Sequence, residues 1–146
     1  TMVKLLATIL EIEGDETRTT YSGMEALEGI HNDTPDLVLL DIMMPELDGF
    51  EVLAKLRENP GAKRIPVIIL TALTETMKVL EGWKRGADGY VTKPFDPGML
   101  VEEIRTVLDR SMEERLEERA RKVECWLEVL QQEDDTPHNH RFSTGL

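Results

Sequence analysis

Two uninterrupted apolar segments, each ending in a polar residue, constrain the fold of this chain more than any other feature. Residues 37–40 read Leu-Val-Leu-Leu before Asp41, and residues 67–70 read Val-Ile-Ile-Leu before Thr71. A short strand that is apolar at every position, rather than at every second one, suits a parallel sheet covered on both faces. The sequence therefore predicts two buried strands that end at Asp41 and Thr71.

Helical patterns alternate with these strands along the chain. Asp48 and Glu51 form a capping-box-like start for one helix, and a second helix is predicted over 75–85, with Thr74 as its cap and Gly86 after its end. A short strand over 89–91 follows. Asp96 and Pro97 then supply the residue types preferred at the cap and the first position of another helix.

This alternation predicts an α/β fold with helices on both faces of a parallel sheet. In such sheets the functional crevice lies at the carboxyl ends of the strands. Asp41, Thr71 and Lys93 all follow or end a predicted strand, so we expect them at this edge.

Composition narrows the possible partners. The net charge is −12, the only cysteine is Cys125, and no apolar run approaches the roughly 18–20 residues that a membrane span needs. Nucleic-acid binding depends on clustered Lys and Arg, and a lone cysteine suits a reducing compartment. We therefore expect no nucleic-acid partner, no membrane association and a cytoplasmic location.

Three motifs in register identify a family. Leu-Leu-Asp-Ile-Met-Met-Pro-Glu-Leu-Asp-Gly stands at 39–49, Leu-Thr-Ala at 70–72, and Gly-Ala-Asp-Gly-Tyr-Val-Thr-Lys-Pro-Phe at 86–95. Together they resemble the receiver domains of two-component response regulators, over residues 1 to about 110. The resemblance implies a flavodoxin-like doubly wound parallel sheet.

The resemblance also implies a phosphorylation site. Asp41 would accept a phosphoryl group, Lys93 would pair with one of its oxygens, and the Thr71 hydroxyl would bond another. Thr71 and Tyr90 would act as switch residues. Mg²⁺ would bridge Asp41, the backbone carbonyl of Met43 and an acidic pair, and the Lys93-Pro94 peptide would be cis.

The function that follows is two-component signalling. A histidine kinase or phosphotransfer protein would phosphorylate Asp41, and the change would switch a protein-interaction surface. The chain would not be an enzyme beyond slow self-dephosphorylation. The alternative is a pseudo-receiver that serves as an interaction or dimerisation module without phosphorylation or Mg²⁺ binding.

The N-terminal part departs from the family pattern. Apolar residues such as Leu5 and Ile9 recur at helical spacing, so the chain opens in a helix where the family has a buried strand and adjacent acidic residues. We therefore expect an N-terminally truncated receiver without its first strand, its acidic pair and a complete Mg²⁺ site. A fragment, a genuine truncation and a protomer completed by a neighbour are the three explanations.

The C-terminal part extends beyond a receiver. Residues 111–132 contain no Gly or Pro and are rich in Glu, Arg and Leu, which predicts that the last helix of the 1–110 domain continues and projects. A homodimer through this helix, as a coiled coil, or through exchanged sheet elements is expected. A helix that folds back on its own domain is the open alternative, and residues 133–146 are predicted to be disordered.

Overall fold

A computed structural model of the chain describes residues 35–41, 49–72 and 75–135. The predicted absence of a first strand concerns residues 1–34, and most of the predicted disordered tail lies after residue 135, so both lie outside the described residues. The elements are β1 (Val38–Asp41), α1 (Gly49–Glu58), β2 (Val67–Thr71), α2 (Thr76–Arg85), β3 (Gly89–Thr92), α3 (Pro97–Asp109) and α4 (Met112–Asp135).

The described strands form one parallel sheet in the order β1-β2-β3. Every residue of β2 is buried. Val67 and Ile69 belong to a core with residues of α1 and α2, whereas Ile68 and Leu70 belong to a second core with residues of α3. Successive side chains of a strand point to opposite faces, which is why this strand is apolar at every position.

β1 is less buried than its sequence predicts. Only Leu40 is buried, while the residues around it are half-buried. Among the described strands, β1 pairs with β2.

The helix ends largely follow the predicted signals. The Asp96 side chain accepts a hydrogen bond from the Gly98 backbone at 3.1 Å, and Pro97 is the first residue of α3. Gly86 ends α2 at a φ of 110°, a left-handed conformation that costs glycine little. At the start of α2 the cap position is Glu75, without a side-chain cap bond, and Thr74 lies outside the described residues.

The prediction of one uninterrupted helix past residue 110 is wrong. α3 ends at Asp109, Arg110 is extended with a ψ of 141°, and α4 starts anew at Met112. The Ser111 hydroxyl accepts a bond from the Glu114 backbone at 3.1 Å, and the Glu114 carboxylate accepts one from the Ser111 backbone at 2.9 Å. This reciprocal capping box satisfies the first N–H groups of a new helix and so favours a break here.

The break turns α4 back over the domain. Val123 and Trp126 of α4 pack against the core that contains Val79 and Trp83 of α2. The long C-terminal helix is therefore present, but it folds back rather than projecting, and it runs to Asp135, three residues into the segment predicted to be disordered. No helix among the described residues is long and apolar enough to cross a membrane.

Candidate functional site

The parallel register brings the predicted site residues to the carboxyl ends of the strands, which form one edge of the sheet. Asp41, the last residue of β1, lies opposite Leu70, and Thr71, the last residue of β2, lies opposite Thr92. The Lys93 backbone N–H then donates to the Thr71 carbonyl at 2.8 Å, which continues the β2–β3 pairing by one step. Residues separated by 52 positions in sequence thereby share one site.

Asp41 and Lys93 form an ion pair at this edge. The Lys93 Nζ lies 2.5 Å from Oδ2 of Asp41, and both side chains are 24% exposed. The peptide between Lys93 and Pro94 is cis. A carboxylate that is reachable from solvent and already faces an ammonium group can receive an anionic group whose charge is then partly compensated.

Thr71 and Tyr90 belong to the two neighbouring strands β2 and β3. Thr71 is fully buried at the end of β2. Tyr90 is half-buried in β3, and burial raises the pKa of its phenol from 10.0 to about 12. The structure thus places the two predicted switch residues in adjacent strands, while their switching remains a prediction.

Tyr90 fills the space between β3 and α2. A Cβ atom built on Gly82 of α2 would lie 3.2 Å from Cε2 of Tyr90 and 2.8 Å from Cδ1 of Ile69. Any larger residue at this position would require these two side chains to shift. The inner face of α2 is therefore in direct contact with the Tyr90 ring.

The described residues do not by themselves fit a metal site. Among residues 35–41, 49–72 and 75–135, no group of three His, Cys, Asp or Glu side chains could hold a metal ion. Asp41 is described, whereas Met43, the other predicted ligand, lies outside these ranges. One carboxylate that is paired with a lysine is less than the oxygen ligands that Mg²⁺ requires.

A buried ionic cluster that no sequence pattern predicted lies at the opposite edge of the sheet, and we call it the Asp88 cluster. It consists of Asp88, with a fully buried side chain, and three arginines: Arg57 at 2.9 Å, Arg115 at 3.1 Å and Arg119 at 2.9 Å. The carboxylate also accepts a bond from the Val67 backbone at 3.0 Å. An arginine pair at i and i+4 on one helix face was the only local signal.

The remaining donors of the Asp88 cluster bond mainly backbone carbonyls. Arg57 reaches Gly86, Lys63 and Ile65, Arg115 reaches Arg64, and Arg119 reaches Ala87. Burial lowers the pKa of Arg57 to about 10, and the charge of Asp88 partly opposes this shift. Since Arg115 and Arg119 belong to α4, the cluster fastens that helix to the domain.

Comparison with known families gives one match that spans most of the chain. The family described as "Response regulator receiver domain" matches residues 1–105. The structure is similar to that of the Francisella response regulator 1452 receiver domain, with a TM-score of 0.70 and 37% identity, covering 75% of this chain and 88% of that one. The predicted flavodoxin-like receiver fold is confirmed.

Curated relatives agree with this match. The DNA-binding response regulator MtrA of Mycolicibacterium smegmatis is 40% identical, with 80% of this chain and 50% of that protein covered. The probable transcriptional regulator ycf27 of Guillardia theta is 44% identical, with 74% of this chain and 41% of that protein covered. The chain spans about half the length, or less, of these relatives.

These relatives contradict the prediction that nucleic acid is not a partner. MtrA is a DNA-binding response regulator, whereas the net charge of −12 predicts no nucleic-acid partner for this chain. The net charge is a sum over the residues of this chain alone. It says nothing about DNA contacts made by other parts of a longer protein.

Proposed function

Because this chain belongs to the response regulator receiver domain family, we propose that it accepts a phosphoryl group on Asp41 from a histidine kinase. It would act in two-component signal transduction, in which this family works, and phosphorylation would switch a protein-interaction surface. The contact between Asp41 and Lys93 at the carboxyl edge of the sheet is the observation that carries this proposal.

The chemistry requires a nucleophile and charge compensation. A carboxylate oxygen of Asp41 attacks phosphorus, a P–O bond forms, and the P–N bond to the phosphohistidine imidazole breaks. The imidazole nitrogen keeps the electron pair and takes a proton. The new group brings additional negative charge to the site, and the Lys93 ammonium is in position to pair with one of its oxygens.

The phosphoryl group would leave by hydrolysis rather than by turnover of a second substrate. Water attacks the acyl phosphate, the P–O bond to Asp41 breaks, and inorganic phosphate departs. The chain would therefore be a slowly self-resetting phosphoprotein. We expect no catalysis beyond this loss.

Mg²⁺ is the cofactor of this family in general. For this chain we propose that Asp41 is one of its ligands, and we assign no further ligand among the described residues. A requirement for Mg²⁺ is testable by carrying out phosphorylation with the ion and with a chelator.

Similarity to DNA-binding response regulators suggests a partner for the whole protein. We propose that DNA is bound by a protein containing this chain, and that the state of Asp41 regulates it. A cytoplasmic location is consistent with this role and remains a prediction.

Intact mass after incubation with acetyl phosphate and Mg²⁺ tests the proposed acceptor. We expect one added phosphoryl group in the unaltered chain and in an Asp36→Asn variant, whose altered carboxyl group is exposed and precedes β1. We expect none in an Asp41→Asn variant. No added mass in a sample shown to be folded by circular dichroism would instead support the unphosphorylated pseudo-receiver.

A further inference from the structure

α4 covers the outer face of α2 along its whole length. Near the start of α4, Arg119 contacts Ala87, just after the end of α2. At its middle, Lys122 lies 5.9 Å from the ring centre of Trp83. Near its end, Glu133 accepts a 2.6 Å bond from the hydroxyl of Thr76, the first residue of α2. The two helices are therefore antiparallel and in contact from end to end.

The two ends of α4 are held very differently. Its beginning is tied to the Asp88 cluster, where the carboxylate is fully buried and bonded by two arginines of α4. Near its end, one contact between described side chains is the exposed bond between Glu133 and Thr76. Charge-assisted bonds away from water are stronger than a bond that competes with solvent. The end near Glu133 is therefore the one that can come loose.

The weakly held end lies at the same edge of the sheet as Asp41. β2 ends at Thr71, and α2 begins five positions later at Thr76. The first turn of α2 contains no acidic residue, and its cap position makes no side-chain bond. Glu133, which belongs to α4, adds its negative charge to that of Glu75, the cap residue, at the positive end of the α2 dipole. A phosphoryl group on Asp41 would add negative charge to this edge and repel Glu133.

Packing provides a second connection between the site and α4. Tyr90 contacts the inner face of α2 at Gly82, while Val123 and Trp126 of α4 pack on the core to which Trp83 of α2 contributes. Close-packed interfaces change between discrete arrangements rather than deforming smoothly. A movement of α2 would therefore alter the surface on which α4 rests.

We propose that α4 covers the outer face of α2 in the unphosphorylated chain. Phosphorylation of Asp41 releases the C-terminal part of α4, while the Asp88 cluster holds the beginning of α4 in place. This inference rests on the proposed function, since it names how the phosphorylated site would be regulated and read. Release exposes the face of α2 that contains Trp83 and makes it available for contact.

Distances between spin labels test the release. Cys125 is the only cysteine and is exposed in the second half of α4, so it is a native labelling site. A second label at Lys55→Cys, on an exposed position of α1, provides the reference. Acetyl phosphate with Mg²⁺ should lengthen this distance by roughly one helical turn, about 5 Å, in the phosphorylated fraction.

A matched pair of labels controls for movement of the whole helix. Lys55→Cys with Glu113→Cys, in a Cys125→Ser background, places the second label at an exposed position just before the arginines of α4. We expect this distance to stay the same on phosphorylation. Equal changes in both pairs would overturn the proposed hinge at the Asp88 cluster.

The intact mass of each sample distinguishes a failure of Asp41 phosphorylation from a failure of α4 release. A chain that carries the phosphoryl group but shows an unchanged distance to Cys125 overturns this inference and leaves the proposed function standing. A chain that takes up no phosphoryl group overturns both.

A charge variant tests the cause of the release. Glu133→Gln retains a hydrogen-bond acceptor but removes the charge, so the phosphorylated variant should show a smaller lengthening than the unaltered chain. Glu124→Gln, at an exposed position of α4, is the control and should release like the unaltered chain. Equal release in both variants would exclude repulsion of Glu133 as the cause.

Discussion

Replacing Asp88 by asparagine should strongly destabilise the protein. The Asp88 carboxylate is fully buried and faces three guanidinium groups and the Val67 N–H. Asparagine has nearly the same shape, but it is uncharged and its amide nitrogen cannot accept these bonds. Three partly buried cations would then lie together without a counterion.

The general energetics of buried ion pairs set the expected magnitude. Removing one partner of a buried pair costs about 3–5 kcal/mol, because the remaining charge is left uncompensated. A domain has a total free energy of unfolding of about 5–15 kcal/mol. We therefore expect Asp88→Asn to remove about 3–5 kcal/mol, a large share of the total stability.

Urea unfolding provides the assay. The fluorescence of Trp83 and Trp126, which lie at the contact between α2 and α4, should report the transition. The midpoint should fall while the slope stays similar, since a similar surface is exposed on unfolding. Asp109→Asn, at an exposed position that ends α3, is the control and should change stability by less than about 0.5 kcal/mol. A loss of unfolding free energy below about 1 kcal/mol for Asp88→Asn would contradict this prediction. It would mean that the protein tolerates the three buried arginines without the carboxylate.

Three further predictions concern the site and its packing. Lys93→Ala should slow phosphorylation from acetyl phosphate markedly while costing less than about 1 kcal/mol in urea unfolding, since its ion pair is partly exposed; a normal phosphorylation rate would contradict its role. Gly82→Ala should cost about 1–3 kcal/mol because its Cβ would meet Ile69 and Tyr90, whereas Gly98→Ala, with no contact under 3.7 Å, should unfold nearly as the unaltered chain does. Burial raises the pKa of Tyr90 from 10.0 to about 12, so the folded state holds this proton more tightly and stability should decline as pH rises through that interval. Unfolding curves of the unaltered chain and a Tyr90→Phe variant from pH 9 to pH 12 check this, and parallel declines would show that Tyr90 is not responsible.

Local patterns in the sequence predicted much of the fold. The uninterrupted apolar residues of β2 predicted a strand covered on both faces, and its alternate residues do enter two different cores. Asp96, Pro97 and Gly86 marked helix ends because capping and backbone conformation depend on a few neighbouring residues. The motifs also placed Asp41, Thr71 and Lys93 at one edge, since parallel strands end at a shared edge.

The break between α3 and α4 has a local signal in the sequence. Ser111 and Glu114 have capping-box spacing, yet the many helix-forming residues around them favour one continuous helix. Helix propensity contributes less than about 1 kcal/mol per residue, so a cap and a packed face can override it. The direction of α4 then depends on tertiary contacts. Its apolar residues pack on the core, and its arginines bond Asp88.

The sequence by itself determined the order and type of the described elements from β1 to α3 and the edge at which the phosphoacceptor candidate lies. Only the tertiary structure decided that Arg57, Arg115 and Arg119 meet on one buried carboxylate, and that α4 lies on α2 with Glu133 beside Thr76. Strand and helix signals act over a few residues, whereas these contacts join residues 27 to 57 positions apart. These contacts depend on the shape and charge of surfaces that exist only after the chain has folded. No local sequence pattern specifies them.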